Sequence, residues 1–253
     1  MALNVDALKL GKLEPSKDPR NLKLASYMKA LPPTPPACDW TAKVKQPWGM
    51  MLNDNIGDCA VACCGHLIQV WSANVGKQVT PTDAAILAAY EAISGYKPND
   101  PSTDIGCVET AVLNYWRHTG IAGNKVAGFV QIPRTRQDYL RSAIYLMGGA
   151  KVGAELPLTA RDQLATGAPW TVTTKRGRGA VGSWGGHSLA CSTYDAEGMT
   201  FITWGQKQRA DWAWVSAYMD EDYAIVNPAW FNVKQIAPNS FNLAALLQDL
   251  QAL

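Results

Sequence analysis

Two residues far apart in the chain carry side chains suited to nucleophilic chemistry. Cys59 follows the polar, glycine-containing turn Asn53-Asp54-Asn55-Ile56-Gly57-Asp58 and opens the small, apolar run Ala60-Val61-Ala62-Cys63-Cys64. That order predicts a loop delivering a thiol to the first turn of a buried helix. The partial positive charge of a helix N-terminus favours the thiolate, the form of cysteine that attacks carbonyl carbon. His187 lies much later, within Gly185-Gly186-His187-Ser188-Leu189-Ala190. A nucleophile early and an imidazole base late, joined only by the fold, is a layout for thiol-based acyl transfer. Two acids oppose activation, because negative charge at Asp54 and Asp58 would raise the thiol pKa. Asp58 also suits the N-cap of the same helix.

The other chemistry-bearing residues have plainer readings. Cys59, Cys63 and His66 share one helical face, but a zinc site wants a fourth ligand and no Cys-x-x-Cys or His-x-x-x-His supplies one, so neither metal nor cofactor is expected. His118 belongs at a helix end, where its charge suits the dipole. Lys175-Arg176-Gly177-Arg178 reads as a solvated loop. The six cysteines do not by themselves argue for disulfides in a chain of this size.

These residues need a body to position them, and 253 residues with 47% apolar content supply one. Only 17% of residues are charged and the net charge is +2, so the footprint of a nucleic-acid binder is missing. No stretch approaches the ~20 apolar residues of a membrane span, and Met1 to Leu10 lacks the pattern of a secretory signal. A soluble protein in a reduced, cytoplasmic setting is expected.

Residues 1 to 37 form a lysine-rich N-terminal arm ending in Leu31-Pro32-Pro33-Thr34-Pro35-Pro36, which is forced to be extended. The arm lies over the body, reaches a partner or stays disordered. Residues 58 to 73 read as a central buried helix, Ala84 to Ile93 as a second behind the start signal Thr80-Pro81-Thr82-Asp83, and Val108 to Thr119 as a third. Pro98 to Asp104 reads as a surface loop. From Lys125 the pattern turns to strands at Val126–Val130, Lys151–Leu156, Ser188–Tyr194, Thr200–Trp204 and Tyr223–Val226, interrupted by one helix at Arg136–Leu146. A helical half over 38 to 124 and a β-rich half over 125 to 235 make an α+β fold. Residues 236 to 253 read as a capped amphipathic C-terminal helix with Leu243, Leu246, Leu247, Leu250 and Leu253 on one face. The arm and this helix are the places for oligomeric contacts.

The ordered set of pieces resembles the papain-like cysteine peptidases. Asp39-Trp40 is similar to the start of their mature body, and Val44-Lys45-Gln46 is a loose match to the stretch that follows. Gly57-Asp58-Cys59 is similar to their Gly-x-Cys, and Gly106-Cys107 and Gly120-Ile121 to a later Gly-Cys and Gly-Ile. His187 opens an apolar strand, Trp204-Gly205 follows one strand later, and Tyr223-Ala224-Ile225 closes the set. The resemblance covers roughly residues 38 to 228 and implies a papain-like fold with a Cys59–His187 dyad in a cleft between the halves.

The departures weigh on the activity that the resemblance implies. Ala60 stands where the family has tryptophan. Asn53, one methylene shorter, stands at the oxyanion glutamine, with Asn55 as a second candidate donor; both are also ordinary turn residues. At the asparagine that orients the imidazole, the chain has Ile202 or Thr203, and only the threonine hydroxyl can steady a ring. Ile56 replaces a disulfide cysteine, in keeping with a reduced protein. The arm is shorter than the family's inhibitory prosegments, which argues against that role. Two functions therefore stand: a thiol hydrolase of peptide or isopeptide bonds, or a catalytically weak or inactive papain-like structural or binding protein, with a phage virion component as one instance. Trp184, Trp212 and Trp214, in loop-like or loop-flanked sequence, would serve recognition in the second, although most of the ten tryptophans read as core. The partner is a peptide or protein in either.

Overall fold

The computed structural model describes residues 3–16, 18, 21–27, 33–134, 136–230 and 248. The expected C-terminal amphipathic helix falls outside the described residues, apart from Gln248, which is helical and exposed.

The chain builds one antiparallel sheet with helices on both faces. Its strands are β1 (Cys38–Asp39), β2 (Gly128–Gln131), β3 (Ala150–Leu156), β4 (Gly185–Tyr194), β5 (Gly198–Thr203), β6 (Gln206–Asp211) and β7 (Met219–Val226), ordered β2-β7-β3-β4-β5-β6 with β1 pairing β4. Three helices precede the main strands: α1 (Cys59–Val75), α2 (Asp83–Ser94) and α3 (Glu109–His118). Three more, α4 (Gln137–Met147), α5 (Leu158–Ala165) and α6 (Trp212–Tyr218), lie between strands. The α+β expectation holds, but α5, α6 and β6 were not legible in the sequence, where a single interrupting helix is expected. α5 and α6 are only 8 and 7 residues long, too short for a clear 3.6-residue period. β6 reads Gln206-Lys207-Gln208-Arg209-Ala210-Asp211, an edge strand whose polar side chains mimic a loop.

Strand alternation explains the two cores. Leu189 and Cys191 of β4, and Ala224 and Val226 of β7, face a core shared with α4, α6 and the arm's Leu8 and Leu24. Ala190, Tyr223 and Ile225 face the opposite core, made by α1, α2 and α3. Successive side chains of a strand point to opposite faces, so strands buried on both sides read as continuous apolar runs. α1 is buried nearly all round, from Cys59 through Trp71, as expected of a helix inside a core. It packs on β4, which brings the N-terminus of the helix to the start of that strand.

The aromatic expectation is half corrected. Trp214 is fully buried and stacked on Trp170 at 4.7 Å, so it is core; Trp184 and Trp212 are half-buried. Lys175 to Arg178 is exposed as expected, with Arg178 paired to Asp162 at 2.6 Å.

Candidate active site

Cys59 is the first residue of α1 and is almost wholly buried, at 1% exposure. Asp58 occupies the N-cap position but makes no side-chain capping bond. Its carboxyl is buried, and burial pushes its pKa well up, toward the neutral acid, against a weaker pull from the Asn53 side chain. The repulsion expected from a charged Asp58 is weakened accordingly.

Burial also raises the Cys59 thiol above its ordinary value. The Ser188 N–H directed at it and the Lys151 ammonium pull the other way, while Glu109 reinforces the rise. Ser188 follows His187 on β4, so the residue whose N–H reaches the thiol is the chain neighbour of the imidazole. His187 Nε2 lies 2.6 Å from Thr203 Oγ1, and the buried Nδ1 has no hydrogen-bond partner among the described residues. Burial, followed by the positive charge of Lys151, lowers the His187 pKa well below the ordinary value.

Thr203 and the ring are positioned by one hairpin. Thr203 pairs with Gln206, which leaves Trp204-Gly205 as a two-residue turn with φ of 44° and 69°. Both central residues of such a turn need positive φ. Glycine takes this freely, whereas tryptophan does so at a cost of order 1 kcal/mol. The strained Trp204 stacks on His187 with ring centroids 4.0 Å apart and an interplanar angle of 14°, and Trp184 stacks on Trp204 at 5.3 Å.

Asn53 is buried, and its Nδ2 donates to Ile56 O at 3.2 Å, bracing the loop before Cys59. Asn55 is exposed and donates to Asp54 Oδ1 at 3.3 Å, so of the two amides only Asn53 faces inward. His66, on the same helix, is engaged elsewhere: its Nδ1 lies 3.1 Å from Gln69 Oε1, with the ring against Trp48. All six cysteines are free thiols.

Three features of the site were not read from the sequence. A buried ion pair, Lys151 Nζ to Glu109 Oε2 at 2.6 Å, sits behind the thiol, and the same ammonium donates to Ala60 O at 2.6 Å and Ser188 Oγ at 2.7 Å. It ties α3, α1, β3 and β4 together. Asp104, placed by its turn chemistry in a surface loop, accepts from Gly57 N–H at 3.0 Å and Tyr90 OH at 2.5 Å, while Gly106 N–H donates to Tyr90 Oη at 3.0 Å. Asp104 and Tyr90 thus fix both the Cys59 loop and the Gly106-Cys107 segment.

The third is the arm. Residues 8 to 13 pass between the Gly57 and Cys107 side and the Gly186 and Trp204 side. Lys9 N–H donates to Asn53 O (3.1 Å), Trp204 Nε1 to Lys9 O (3.2 Å), Cys107 N–H to Gly11 O (2.8 Å), Leu13 N–H to Cys107 O (3.0 Å) and Lys12 N–H to Gly186 O (3.2 Å). Gly11 lies so close that a Cβ there would sit 1.8 Å from Gly57 O. Half a dozen residues of the arm are enough to bond both sides of this gap through the main chain.

No protein-family model matches the chain, and neither does any curated protein. Solved structures do. Over 87% of this chain and 97% of the other, it superposes on xylellain, a cysteine protease from Xylella fastidiosa, with a TM-score of 0.66 at 14% identity. Digestive procathepsin L 3 of Tenebrio molitor larval midgut matches with a TM-score of 0.59 at 12% identity, over 88% and 77% of the two chains. Procathepsin B S9 from Trypanosoma congolense matches with a TM-score of 0.56 at 9% identity, over 87% of each. The chain therefore has the papain-like cysteine protease fold.

Proposed function

We propose that the protein is a thiol hydrolase of peptide or isopeptide bonds, working through Cys59 and His187 and held latent by its own N-terminal arm. The observation that carries this reading is the His187 ring, bonded to Thr203 through Nε2 while the buried Nδ1 is left without a partner. With Nε2–H donating to Thr203 Oγ1, Nδ1 keeps its lone pair and is the base available to the thiol of α1. The likeness to cysteine proteases supports the same assignment.

Nδ1 takes the Cys59 proton as the sulfur attacks the acyl carbon, a C–S bond forms and the carbonyl electron pair moves to oxygen. The oxyanion is met by the Cys59 backbone N–H, one of the helix-terminal donors with no intrahelical partner, and by the Asn53 amide once it gives up Ile56 O. Collapse breaks the C–N bond, with His187 returning the proton to the leaving amine, and water then hydrolyses the thioester by the reverse roles. Thr203 holds the tautomer, and no cofactor is required.

Latency follows from the arm and from the electrostatics. Burial raises the thiol and lowers the imidazole, so the covered pair rests as neutral thiol and neutral imidazole. Displacing the arm admits water and removes much of that penalty. The test is iodoacetamide labelling of Cys59 against pH, read by peptide mass spectrometry, in the full chain, in Gly11→Ala and in Gly11→Ala/His187→Ala. Slow labelling in the full chain, fast labelling persisting below about pH 7 in Gly11→Ala, and its collapse without His187 are expected. An ordinary thiol profile near pH 8.5 in all three would sink the hydrolase reading. It would favour a papain-like binding or structural protein, a virion component among the instances.

A further inference from the structure

We infer that the cleft selects peptides with a lysine or arginine side chain at the position now filled by Lys12, and that Glu155, Asp220 and Glu221 impose the choice. The inference rests on reading the cleft as a peptide-binding active site. Lys12 leaves the arm backbone between Cys107 and Gly186, and its side chain is fully buried although Lys9 and Leu13 beside it are exposed. Its Nζ lies 2.7 Å from Asp220 Oδ2, 3.2 Å from Glu155 Oε1 and 3.5 Å from Glu221 Oε1, and also donates to Leu13 O at 3.2 Å.

The recess is shaped for a long cationic side chain. At Gly153 a Cβ would come within 2.4 Å of Lys12 Cε, so any larger residue there would close it. β7 is bulged opposite: Gly153 pairs with Glu221 but Ala154 with Met219, which leaves Asp220 as the extra residue. Regular alternation would send Asp220 and Glu221 to opposite faces; the bulge lets both reach one ammonium. The Glu221 side chain has no exposure, its Oε2 accepts from Tyr223 OH at 2.8 Å, and its Oε1, without a hydrogen-bond partner among the described residues, faces Lys12.

Charge balance decides what the recess accepts. Three carboxylates surround one ammonium, so a neutral or acidic side chain would leave the fully buried Glu221 and the partly buried Glu155 and Asp220 uncompensated. Arginine reaches as far and presents a forked set of donors. The main-chain bonds to Cys107 and Gly186 are ones that any peptide can make, so the side chain at this position is what distinguishes occupants.

The test uses the full chain carrying Gly11→Ala together with Lys12→Ala, so that the arm is lifted from the cleft and the recess is emptied without altering its walls. Fluorescein-labelled peptides Leu-Lys-Leu-Gly-X-Leu-Glu, with X as Lys, Arg, Leu or Glu, are titrated by anisotropy. The Lys and Arg peptides should bind at least about tenfold more tightly than the Leu peptide, with the Glu peptide weakest. The preference should vanish when Asp220→Asn and Glu221→Gln are added, and shrink at high salt. Equal binding of all four peptides, or binding of none, overturns the inference. Should Lys12→Ala fail to fold by circular dichroism, Lys12→Gln takes its place with the same peptides. Iodoacetamide labelling of Cys59 in the same samples separates the two proposals. A basic preference with an unreactive Cys59 sustains the recess and overturns the hydrolase, whereas a reactive Cys59 with no preference does the reverse.

Discussion

At the scale of single residues, the site turns on Thr203 standing where a stronger orienting group would be expected. A hydroxyl 2.6 Å from Nε2 fixes the ring with one bond, and Trp204 stacked on the ring fixes its plane. Thr203→Val keeps the shape and removes the bond. It should lower kcat about tenfold or more with KM little changed, because the imidazole is misoriented while the peptide contacts stay; steady-state kinetics of an arm-released form reads this. Thr203→Ser should retain most of the activity. The pH dependence has a definite sign. Burial raises the thiol and lowers the imidazole, so in the covered form Cys59 labelling should begin above the pH of an ordinary thiol, and in the uncovered form it should move down. A profile that stays put when the arm is displaced would contradict this account.

Among elements, the arm and the β5–β6 hairpin matter most. Gly11 touches Gly57 so closely that Gly11→Ala must lift the arm, since the added Cβ would meet a backbone carbonyl at 1.8 Å. Amide hydrogen exchange of residues 8 to 13 should rise by at least about tenfold in that variant, with α1 and β4 unchanged. Unchanged protection would mean that the body gives way instead of the arm. In the hairpin, Gly205 has φ of 69°. Gly205→Ala should cost about 1 kcal/mol in denaturant unfolding and loosen Trp204 over His187.

For the molecule as a whole, one buried ion pair ties the sheet to the helices α1 and α3 that pack on one of its faces. Lys151 and Glu109 both have side chains with no exposure, and Lys151 also caps Ala60 O at the start of α1. Lys151→Met alone leaves a buried carboxylate and should destabilise by about 3–5 kcal/mol in urea unfolding. Lys151→Met with Glu109→Gln should recover much of that loss. If the single and double variants are equally destabilised, the lysine acts by packing rather than by charge.

Composition and local pattern determined a good deal of this. The thiol at the head of α1, the imidazole opening β4 and the helical half before the β-rich half are legible, because each depends on near neighbours in sequence: a turn, a periodicity, a register. Thr203 as the ring's partner, 16 residues from His187, is instead what the family resemblance implies. The short α5 and α6 and the polar β6 were not, since their signals are shorter than one clear period. Tertiary structure alone decided the rest. Asn53 faces inward and Asn55 outward because the loop is pinned by Asp104 from 47 residues away. The arm fills the cleft because main-chain bonds need only an extended strand, which no side-chain pattern announces. Lys12 meets Glu155, Asp220 and Glu221 only because a bulge turns two neighbouring acids toward one point. Charges separated by most of the chain become one site when folding removes the water between them.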